Sequence, residues 1–340
     1  MKKSRLFLLV AIVLVSALAL TACGGGSNTD SGENGDQPKT TVLKAGHTLA
    51  PDHPYNDGML KFAELVEQKT NGQIKIDVYP AAQLGSEREA IEGVQMGTID
   101  ITLVSTAPLA GFSDAFLALD LPFIFKDRTH AYKVLDGEIG QDMLSKLDGT
   151  GLIGINFWEN GFRNLTNGER PVVVPEDAKG LKVRTMENQI HMDSFRAIGA
   201  DPTPMAFGEL FTALQQKTVD GQENPLPIIW TSKFFEVQEH LALTGHFYAA
   251  VPLLINEKLF NSFSPEVQQA ILEAAEEARD FERNIIKEMD ESLLGDLKEA
   301  GMQVTEPDKA VWEEAMKSVY DKYESKIGTD LIQKIKQAAN

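Results

Sequence analysis

The sequence is poor in cysteine and in cationic side chains. Its single cysteine, Cys23, cannot form a disulfide within the chain. Lysine and arginine together number 32, against 50 aspartates and glutamates, and the net charge is -18 at pH 7. Nucleic-acid binding rests on clustered basic side chains that neutralise phosphates. The composition therefore argues against a nucleic-acid partner.

Motifs that carry catalytic or metal chemistry are also missing. The sequence contains no Gly-x-Ser-x-Gly elbow, no Gly-x-x-x-x-Gly-Lys phosphate loop, no Cys-x-x-Cys pair and no dinucleotide fingerprint. His47 and His53 lie near each other, but neither has the spacing or the carboxylate companion typical of a metal site. We therefore predict no enzymatic activity, no metal and no cofactor.

The N-terminal apolar run, residues 6–20, is shorter than the roughly 20 residues that span a bilayer. It follows three basic residues and ends at Leu20-Thr21-Ala22-Cys23, which resembles a bacterial lipobox. This layout predicts a signal peptide over residues 1–22 and lipidation of Cys23, with a stray buried thiol as the alternative. Residues 24–40 have no aliphatic or aromatic side chain, so 23–40 is predicted to be a lipidated flexible linker.

Beyond the linker, strand and helix patterns alternate. Residues 42–45 read as a buried strand, a helix follows, and alternating apolar residues predict a second strand over 74–78. Ser86 and Glu89 have the spacing of a capping box, which opens a helix that leads into a strand over 99–104. The order β-α-β-α-β predicts an α/β fold with a mostly parallel sheet.

The same order recurs from Leu181, with matching residues. The matched stretches are Leu43-Lys44 with Leu181-Lys182, residues 80–85 with 204–208, and residues 94–100 with 214–220. Short matches also arise by chance in α/β proteins, but their common order favours an internal repeat. We therefore predict two related lobes, with a ligand cleft at the carboxyl ends of their strands.

The lobes need connections. A strand over 151–158 and a loop over 159–166 are predicted to make the first crossover, and a strand near 251–255 leads back, which creates a hinge. After Ser264-Pro265 a helix of about 50 Å is predicted to reach Ala300 and to lie across both lobes, the alternative being two helices broken near Gly295. The predicted lobes are residues 41–160 plus 250–289 (lobe I) and 161–249 plus 290–340 (lobe II).

Two arginines are the main candidates for ligand binding. Arg184 ends a predicted strand and Arg163 follows a Gly-Phe turn, so each can present a guanidinium to the cleft. The guanidinium fork matches the two oxygens of a carboxylate, although a surface salt bridge is the alternative for any single arginine. Arg184 and Asn224 lie at corresponding strand ends, and we expect residues 222–225 to form a rigid loop. The further candidates are His47, Thr48, Ser105 and Phe207.

Several longer motifs carry a family resemblance. They are residues 79–85, 160–163, 180–184, 202–207 and 235–238, and above all Asp220-Gly-Gln-Glu-Asn-Pro225. Over nearly all of residues 41–330 the chain resembles the substrate-binding subunit of tripartite ATP-independent periplasmic (TRAP) transporters, of the dicarboxylate-binding type. The resemblance implies a two-lobed periplasmic-binding-protein-like fold with a cleft between the lobes and a long lobe-bridging helix.

The resemblance also implies roles for the candidates. In that family the arginine matching Arg184 grips the ligand carboxylate, and the residues matching Arg163 and Asn224 assist it. The phenylalanine matching Phe207 packs nearby. Glu87 lies near an acidic cleft residue of some relatives and is expected to meet a hydroxyl of a sugar acid.

Two departures from the family pattern bear on the ligand. Sialic-acid binders carry a glutamate at the strand end matching Ser105 and an asparagine where Thr48 stands. Both are absent here. The remaining classes are C4-dicarboxylates, sugar acids and keto acids.

We therefore expect an extracytoplasmic, monomeric solute-binding lipoprotein that is lipid-anchored to the cell membrane. It captures a small organic carboxylate and delivers it to the membrane subunits of a TRAP permease driven by an ion gradient. The alternative is a sensor lipoprotein that reports the same ligand to a membrane signalling partner. An extracytoplasmic enzyme that uses the same cleft is a third class, for which no acid, base or nucleophile stands out.

Overall fold

The computed structural model describes residues 40–339, and these form nine β-strands and thirteen α-helices. The predicted signal peptide, Cys23 and the predicted linker up to residue 39 lie outside the described residues. The strands are β1 (Thr41–Gly46), β2 (Ile74–Tyr79), β3 (Ile101–Leu103), β4 (Leu152–Asn167), β5 (Lys182–Thr185), β6 (Asp201–Pro204), β7 (Gly221–Asn224), β8 (His240–Asn256) and β9 (Gln303–Thr305).

The helices surround the sheet formed by these strands. They are α1 (Pro54–Lys69), α2 (Glu87–Met96), α3 (Thr106–Leu109), α4 (Arg128–Leu135), α5 (Glu138–Ser145), α6 (Gln189–Ala197), α7 (Phe207–Gln215), α8 (Leu226–Thr231), α9 (Glu257–Ser262), α10 (Pro265–Glu299), α11 (Lys309–Met316), α12 (Ser318–Ile327) and α13 (Thr329–Gln337). Within residues 40–339, no helix has both the length and the apolar character needed to cross a membrane.

All nine strands join one sheet in the order β2-β1-β3-β8-β4-β7-β5-β6, with β9 beside β8. β1 is parallel to β2 and β3, and β5 is parallel to β6 and β7. The long strands β4 and β8 are antiparallel to each other and run through both halves of the sheet. The predicted α/β fold with two lobes is confirmed.

The repeat is visible in matching hydrogen bonds. The backbone N–H of Lys44 donates to Asp100 Oδ2 at 2.8 Å, and that of Lys182 donates to Asp220 Oδ2 at 2.8 Å. In return, each aspartate N–H donates to the carbonyl of its lysine, at 3.2 Å and 2.8 Å. In each module, the same pair of hydrogen bonds therefore ties the first strand to the segment just before the third strand, which is β3 in one module and β7 in the other.

The long helix predicted after Ser264-Pro265 is a single helix, α10, of 35 residues. It is not broken at Gly295. The Ser264 side chain caps the first turn by accepting a hydrogen bond from the N–H of Val267. Pro265 stands at the first helical position, where a backbone N–H would have no partner within the helix. α10 packs against α1, which follows β1, and against α8, which follows β7. It therefore contacts both halves of the protein, as the sequence predicted.

Two of the predicted loops are strands. Residues 159–166, expected to form the crossover loop, lie inside β4, and residues 222–224 of the expected rigid loop lie in β7. Both stretches contain Glu and Asn, and the first also contains Gly161; these residue types are depleted in strands. Their polar groups are buried in the sheet rather than solvated, and Gly161, with φ of 112°, stands at one of three register shifts between β4 and β8. A polar composition usually indicates a solvent-exposed loop, so the burial of these polar side chains explains why the sequence predicted loops here.

The predicted lobe boundaries stay predictions, but their positions agree with the register of the sheet. The boundaries at 160/161 and 249/250 lie next to each other, because Glu159 pairs with Ala250 and Gly161 pairs with Ala249. Both crossing strands therefore pass from one predicted lobe to the other at the same level.

Close packing between α1, β4 and α10 gives a first testable prediction. A Cβ on Gly58 of α1 would lie 2.5 Å from Trp158 Cζ3 and 2.9 Å from Glu282 Cβ, whereas one on Gly295 would meet nothing within 4 Å. We expect Gly58→Ala to lower the free energy of unfolding by about 1–3 kcal/mol through overpacking. The matched control Gly295→Ala should raise it by about 0.5–1 kcal/mol through helix propensity. Urea denaturation of both variants measures this, and a stabilised Gly58→Ala would contradict it.

Candidate functional site

A small, partly open cavity lies at the carboxyl ends of the parallel strands. Ser105 follows β3, Arg184 lies in β5 and Asn224 ends β7, so strands from both modules contribute. The lining residues are Thr48, Leu49, Tyr55, Glu87, Ser105, Asn160, Arg163, Arg184, Met186, Phe207, Asn224 and Ile228. The structure thus brings together seven of the eight predicted ligand-binding residues, and His47 is the exception.

Arg184 is a buried cation without a carboxylate partner. It is 2% exposed, and its Nε and Nη2 donate to the carbonyl of Met205 at 3.0 and 2.7 Å. No carboxylate of residues 40–339 forms an ion pair with it within 4.0 Å. Burial and the nearby Arg163 lower the pKa of Arg184 to about 10. A buried charge of this kind is costly unless an anion compensates it.

Arg163, in contrast, already has a partner. Its Nε and Nη2 donate to the two carboxylate oxygens of Glu223, and Nη2 also donates to the Glu223 carbonyl at 2.6 Å. Burial opposes ionisation of Glu223, but the Arg163 guanidinium and a hydrogen bond to His246 hold the pKa of this carboxyl below its usual range. The pair fixes the guanidinium, and Nη1 stays without a partner among the described residues.

Glu87 brings a carboxyl group to the same cavity. It is the first residue of α2, directly after the capping residue Ser86, and its Oε1 accepts from the N–H of Ser105 at 2.8 Å. Burial raises the pKa of Glu87, while the hydrogen bonds from Ser105 and the charges of Arg184 and Arg163 act in the opposite direction. The cavity therefore holds a carboxyl group beside two guanidinium groups.

Phe207 and Asn224 complete the part contributed by the second module. The Arg184 guanidinium carbon lies 6.0 Å from the centroid of the Phe207 ring, at the start of α7, which is within reach of a cation–π interaction. Asn224 Nδ2 donates to Gln222 Oε1 at 2.5 Å. These neighbours limit the positions that both side chains can adopt.

His47 does not line the cavity. Its Nε2 lies 3.4 Å from Asn56 Oδ1, and its ring stands edge-on to Tyr55. Burial lowers the pKa of His47 to about 4, against the effect of the Asn56 hydrogen bond, so the ring is neutral at pH 7. Tyr55, whose ring contacts that of His47, lines the cavity instead.

Sequence reasoning missed two polar residues of the cavity, Tyr55 and Asn160, and three apolar ones, Leu49, Met186 and Ile228. Tyr55 lies in the first turn of α1, the helix after β1, and this turn sits at the same sheet edge as the strand's carboxyl end. The rule that ligands bind at the carboxyl ends of parallel strands could therefore have predicted Tyr55. Asn160 lies inside β4 and begins the 160–163 motif, which marked the segment without indicating that Asn160 itself lines the cavity.

The arrangement suits anion binding. Two buried guanidinium groups converge on a small cavity between two α/β modules, and within residues 40–339 no group of three or more His, Cys, Asp or Glu side chains could hold a metal ion. A hinged two-lobed fold with its charged cavity at the strand ends defines the class of solute-binding proteins.

The comparison with known families agrees with this class. Residues 45–326 match the family DctP, described as bacterial extracellular solute-binding protein, family 7. The match covers well over half of the chain, and the chain belongs to this family of TRAP transport proteins that bind substrates.

Relatives that are named for their ligands are similar to this chain over most of their length. The chain is 38% identical to the 2,3-diketo-L-gulonate-binding periplasmic protein YiaO of Escherichia coli K12, over 81% of this chain and 84% of that protein. It is 36% identical to the C4-dicarboxylate-binding periplasmic protein DctP of Rhodobacter capsulatus, over 87% and 90%. A crystal structure of a TRAP periplasmic solute-binding protein from Polaromonas sp. JS666, bound to D-erythronate, superposes with a TM-score of 0.86 at 44% identity, covering 87% and 98%.

Proposed function

We propose that this protein is an extracytoplasmic, lipid-anchored solute-binding protein that captures a small organic acid and delivers it to a TRAP permease. The observation that carries the proposal is Arg184, a buried guanidinium that lines the cavity and has no carboxylate partner within residues 40–339. A ligand carboxylate would supply the missing anion through a bidentate, charge-assisted pair.

In this proposal Arg184 binds the carboxylate directly, and Arg163 adds its Nη1 donor while Glu223 holds it in place. Asn224, Phe207, Thr48 and Ser105 shape the rest of the cavity. Closure of the two lobes along the crossing strands β4 and β8 would bury the ligand. His47 supports Tyr55 rather than the ligand.

The ligand can be identified with a panel of organic acids. Binding to the native state raises the apparent stability by mass action, so a thermal-shift screen detects it. Dicarboxylates, sugar acids and keto acids form the panel, because names of the relatives include a diketogulonate, C4-dicarboxylates and D-erythronate. A panel without a single stabilising acid would overturn the proposal.

The anchor and the permease are tested separately. Cys23→Ser should release the protein from membranes and abolish metabolic labelling with palmitate, because the lipid attaches to the thiol. Uptake of the identified acid by vesicles that contain the two permease subunits should require the binding protein. Binding without any stimulated uptake would refute delivery to the permease.

The proposal also includes a monomer with the lobe limits 41–160 plus 250–289 and 161–249 plus 290–340. Light scattering of the protein without its lipid group measures the mass of the particle. Small-angle scattering with and without ligand measures closure of the lobes. A stable dimer, or an unchanged profile on ligand binding, would contradict these points.

A further inference from the structure

A cluster of ionisable side chains lies outside the ligand cavity, where α4, β4 and the long helix α10 meet. Arg128, the first residue of α4, donates from Nε to Glu159 Oε1 at 2.6 Å, and its Nη2 donates to Asp290 Oδ2. The Glu159 side chain is fully buried, and the side chains of Arg128 and Asp290 are 23% and 21% exposed. One guanidinium therefore links a carboxylate of β4 to a carboxylate of α10, and we call these three residues the clasp.

The clasp lies where the two proposed lobes meet. In the proposed limits Arg128 and Glu159 belong to lobe I, and Asp290 is the first residue of lobe II on α10. A Cβ added to Gly161, the first residue of lobe II on β4, would lie 3.8 Å from Asp290 Oδ2 and 3.9 Å from Arg128 Nη2. Gly161 also stands at a register shift between β4 and β8. The Arg128–Asp290 ion pair therefore bridges the lobes at the level where both crossing strands pass between them.

The two carboxylates of the clasp share one cation. Within residues 40–339, Glu159 and Asp290 form ion pairs within 4.0 Å with Arg128 alone. The nearby Arg283 donates instead to both carboxylate oxygens of Asp136, at 2.7 and 2.9 Å. Arg128 must therefore balance the charges of β4 and α10 together.

The other titratable groups around the clasp come from every element packed against it. Tyr132 Oη on α4 donates to Glu159 Oε2, and Glu282 on α10 accepts from the N–H of Glu159 at 3.2 Å. The set also includes Tyr248 on β8 and Tyr55 on α1, whereas α8, which packs on α10 as well, carries no titratable side chain.

These surroundings favour a proton on Asp290. Burial raises the pKa of Asp290 to about 6, against the attraction of Arg128, and the charge of Glu159 adds to the rise. The usual value for an aspartate is 3.8. In this conformation Asp290 therefore binds a proton at a pH where an exposed aspartate is ionised.

We propose that closure of the lobes on the ligand takes up a proton at Asp290, so that the clasp couples ligand capture to pH. The inference rests on the proposed function, because it requires lobes that close on a bound acid. The proton comes from the solvent, which reaches the partly exposed Asp290 side chain. Arg128 and Glu159 stay together in lobe I, while rotation of lobe II carries Asp290 away from them into water.

The direction of the pH effect follows from these two conformations. In the open form Asp290 is solvated and has the ordinary aspartate pKa of 3.8, and in the closed form its pKa is about 6. A carboxyl whose pKa is higher in one form stabilises that form as the pH falls. From pH 7 to pH 5, closure should therefore become roughly tenfold more favourable, with uptake of most of one proton at pH 5.

Isothermal titration calorimetry with Asp290→Asn tests the coupling. D-erythronate, succinate and pyruvate are the probes, and the one that binds wild type most tightly is used for both proteins, so that the ionisation of the acid itself cancels. The amide is neutral at every pH and stands for the protonated carboxyl. Asp290→Asn should therefore bind roughly tenfold more tightly than wild type at pH 7 and equally at pH 5. Titrations in two buffers of different ionisation enthalpy should show proton uptake at pH 5 in wild type that is missing in the variant.

The matched control is Asp280→Asn on the same helix. The Asp280 side chain is 63% exposed and pairs with Arg279 Nη2 at 2.8 Å, far from the carboxylates of the clasp in sequence. This variant should follow wild type at both pH values. Equal affinities of wild type and Asp290→Asn at pH 7 would overturn the inference.

Arg128→Lys tests the guanidinium of the clasp. A lysine ammonium is a point charge and cannot reproduce the fork that contacts Glu159 and Asp290 together. Asp290 then loses attraction in the closed form, and the pH at which affinity changes should move above 6. A midpoint that stays at the wild-type pH would mean that Arg128 does not control the ionisation of Asp290, which overturns the clasp.

Failure of the clasp and failure of the proposed function give different results. If the acids bind but wild type and Asp290→Asn share one pH profile, the clasp is wrong and the proposed function stands, because capture depends on Arg184 in the cavity. If neither these three acids nor any other acid of the panel binds, the proposed function is wrong and the inference falls with it.

Discussion

Arg184→Met is expected to abolish ligand binding and, at the same time, to stabilise the ligand-free protein. The variant removes the charge partner of the ligand carboxylate, a change that costs about 2–5 kcal/mol of affinity at buried charge pairs. In the ligand-free protein it replaces a buried guanidinium with no carboxylate partner in the described chain by an apolar side chain. Even a buried ion pair can be replaced by apolar side chains with a neutral or stabilising effect of about 1–4 kcal/mol, and an arginine without a carboxylate partner has less attraction to lose. Calorimetry measures the affinity, and urea denaturation measures the stability.

The matched control is Arg196→Met. Its side chain is 51% exposed and pairs with Asp193 Oδ1 at 3.0 Å, so both quantities should change by less than about 1 kcal/mol. An unchanged dissociation constant in Arg184→Met would remove the anion site. Lower stability of the ligand-free variant would show that the hydrogen bonds from Arg184 to the Met205 carbonyl outweigh the cost of burying the charge.

The position of this site was accessible to sequence reasoning. The predicted positions of Ser105, Arg184 and Asn224 followed from chain order alone, because parallel strands in one sheet bring their carboxyl ends to one edge. The internal repeat gave the same indication in both modules. The equivalent Lys44–Asp100 and Lys182–Asp220 hydrogen bonds agree with that repeat. A buried charged residue at such an edge breaks the rules of a stable core, which is where function is expected.

The errors arose where long-range contacts decide the conformation. Residues 159–166 have a loop-like composition, yet they form β4 because β8, more than seventy positions later, supplies a continuous partner. Asn160 enters the cavity only through that pairing. The pairing of Arg163 with Glu223 likewise depends on β4 lying beside β7. No window of neighbouring residues contains these contacts, so local patterns could not predict them.

Arg163→Met is expected to destabilise the protein by about 3–5 kcal/mol at neutral pH, in contrast to Arg184→Met. The reason is that Arg163 has a partner: the change leaves the carboxylate of Glu223, which is fully buried, without its cation. Binding should weaken as well, since the Nη1 donor is lost. Urea denaturation at several pH values measures the effect. The exposed pair Lys61–Glu64 provides the control, because Lys61→Met should cost less than about 1 kcal/mol.

The pH dependence and a second substitution distinguish two causes of the destabilisation by Arg163→Met: loss of the ion pair with Glu223 and loss of side-chain packing. The pKa of Glu223 is lowered in the folded protein relative to the usual value of 4.5 for a glutamate. The stability from the pair is therefore fully present above about pH 4.5 and is lost as the pH falls through the lower folded pKa. The difference between wild type and Arg163→Met should shrink over that range. At neutral pH, adding Glu223→Gln should restore part of the loss, because a neutral amide replaces the unpaired charge. A constant difference across pH, with no restoration by Glu223→Gln, would mean that Arg163 acts through its volume and not through its charge.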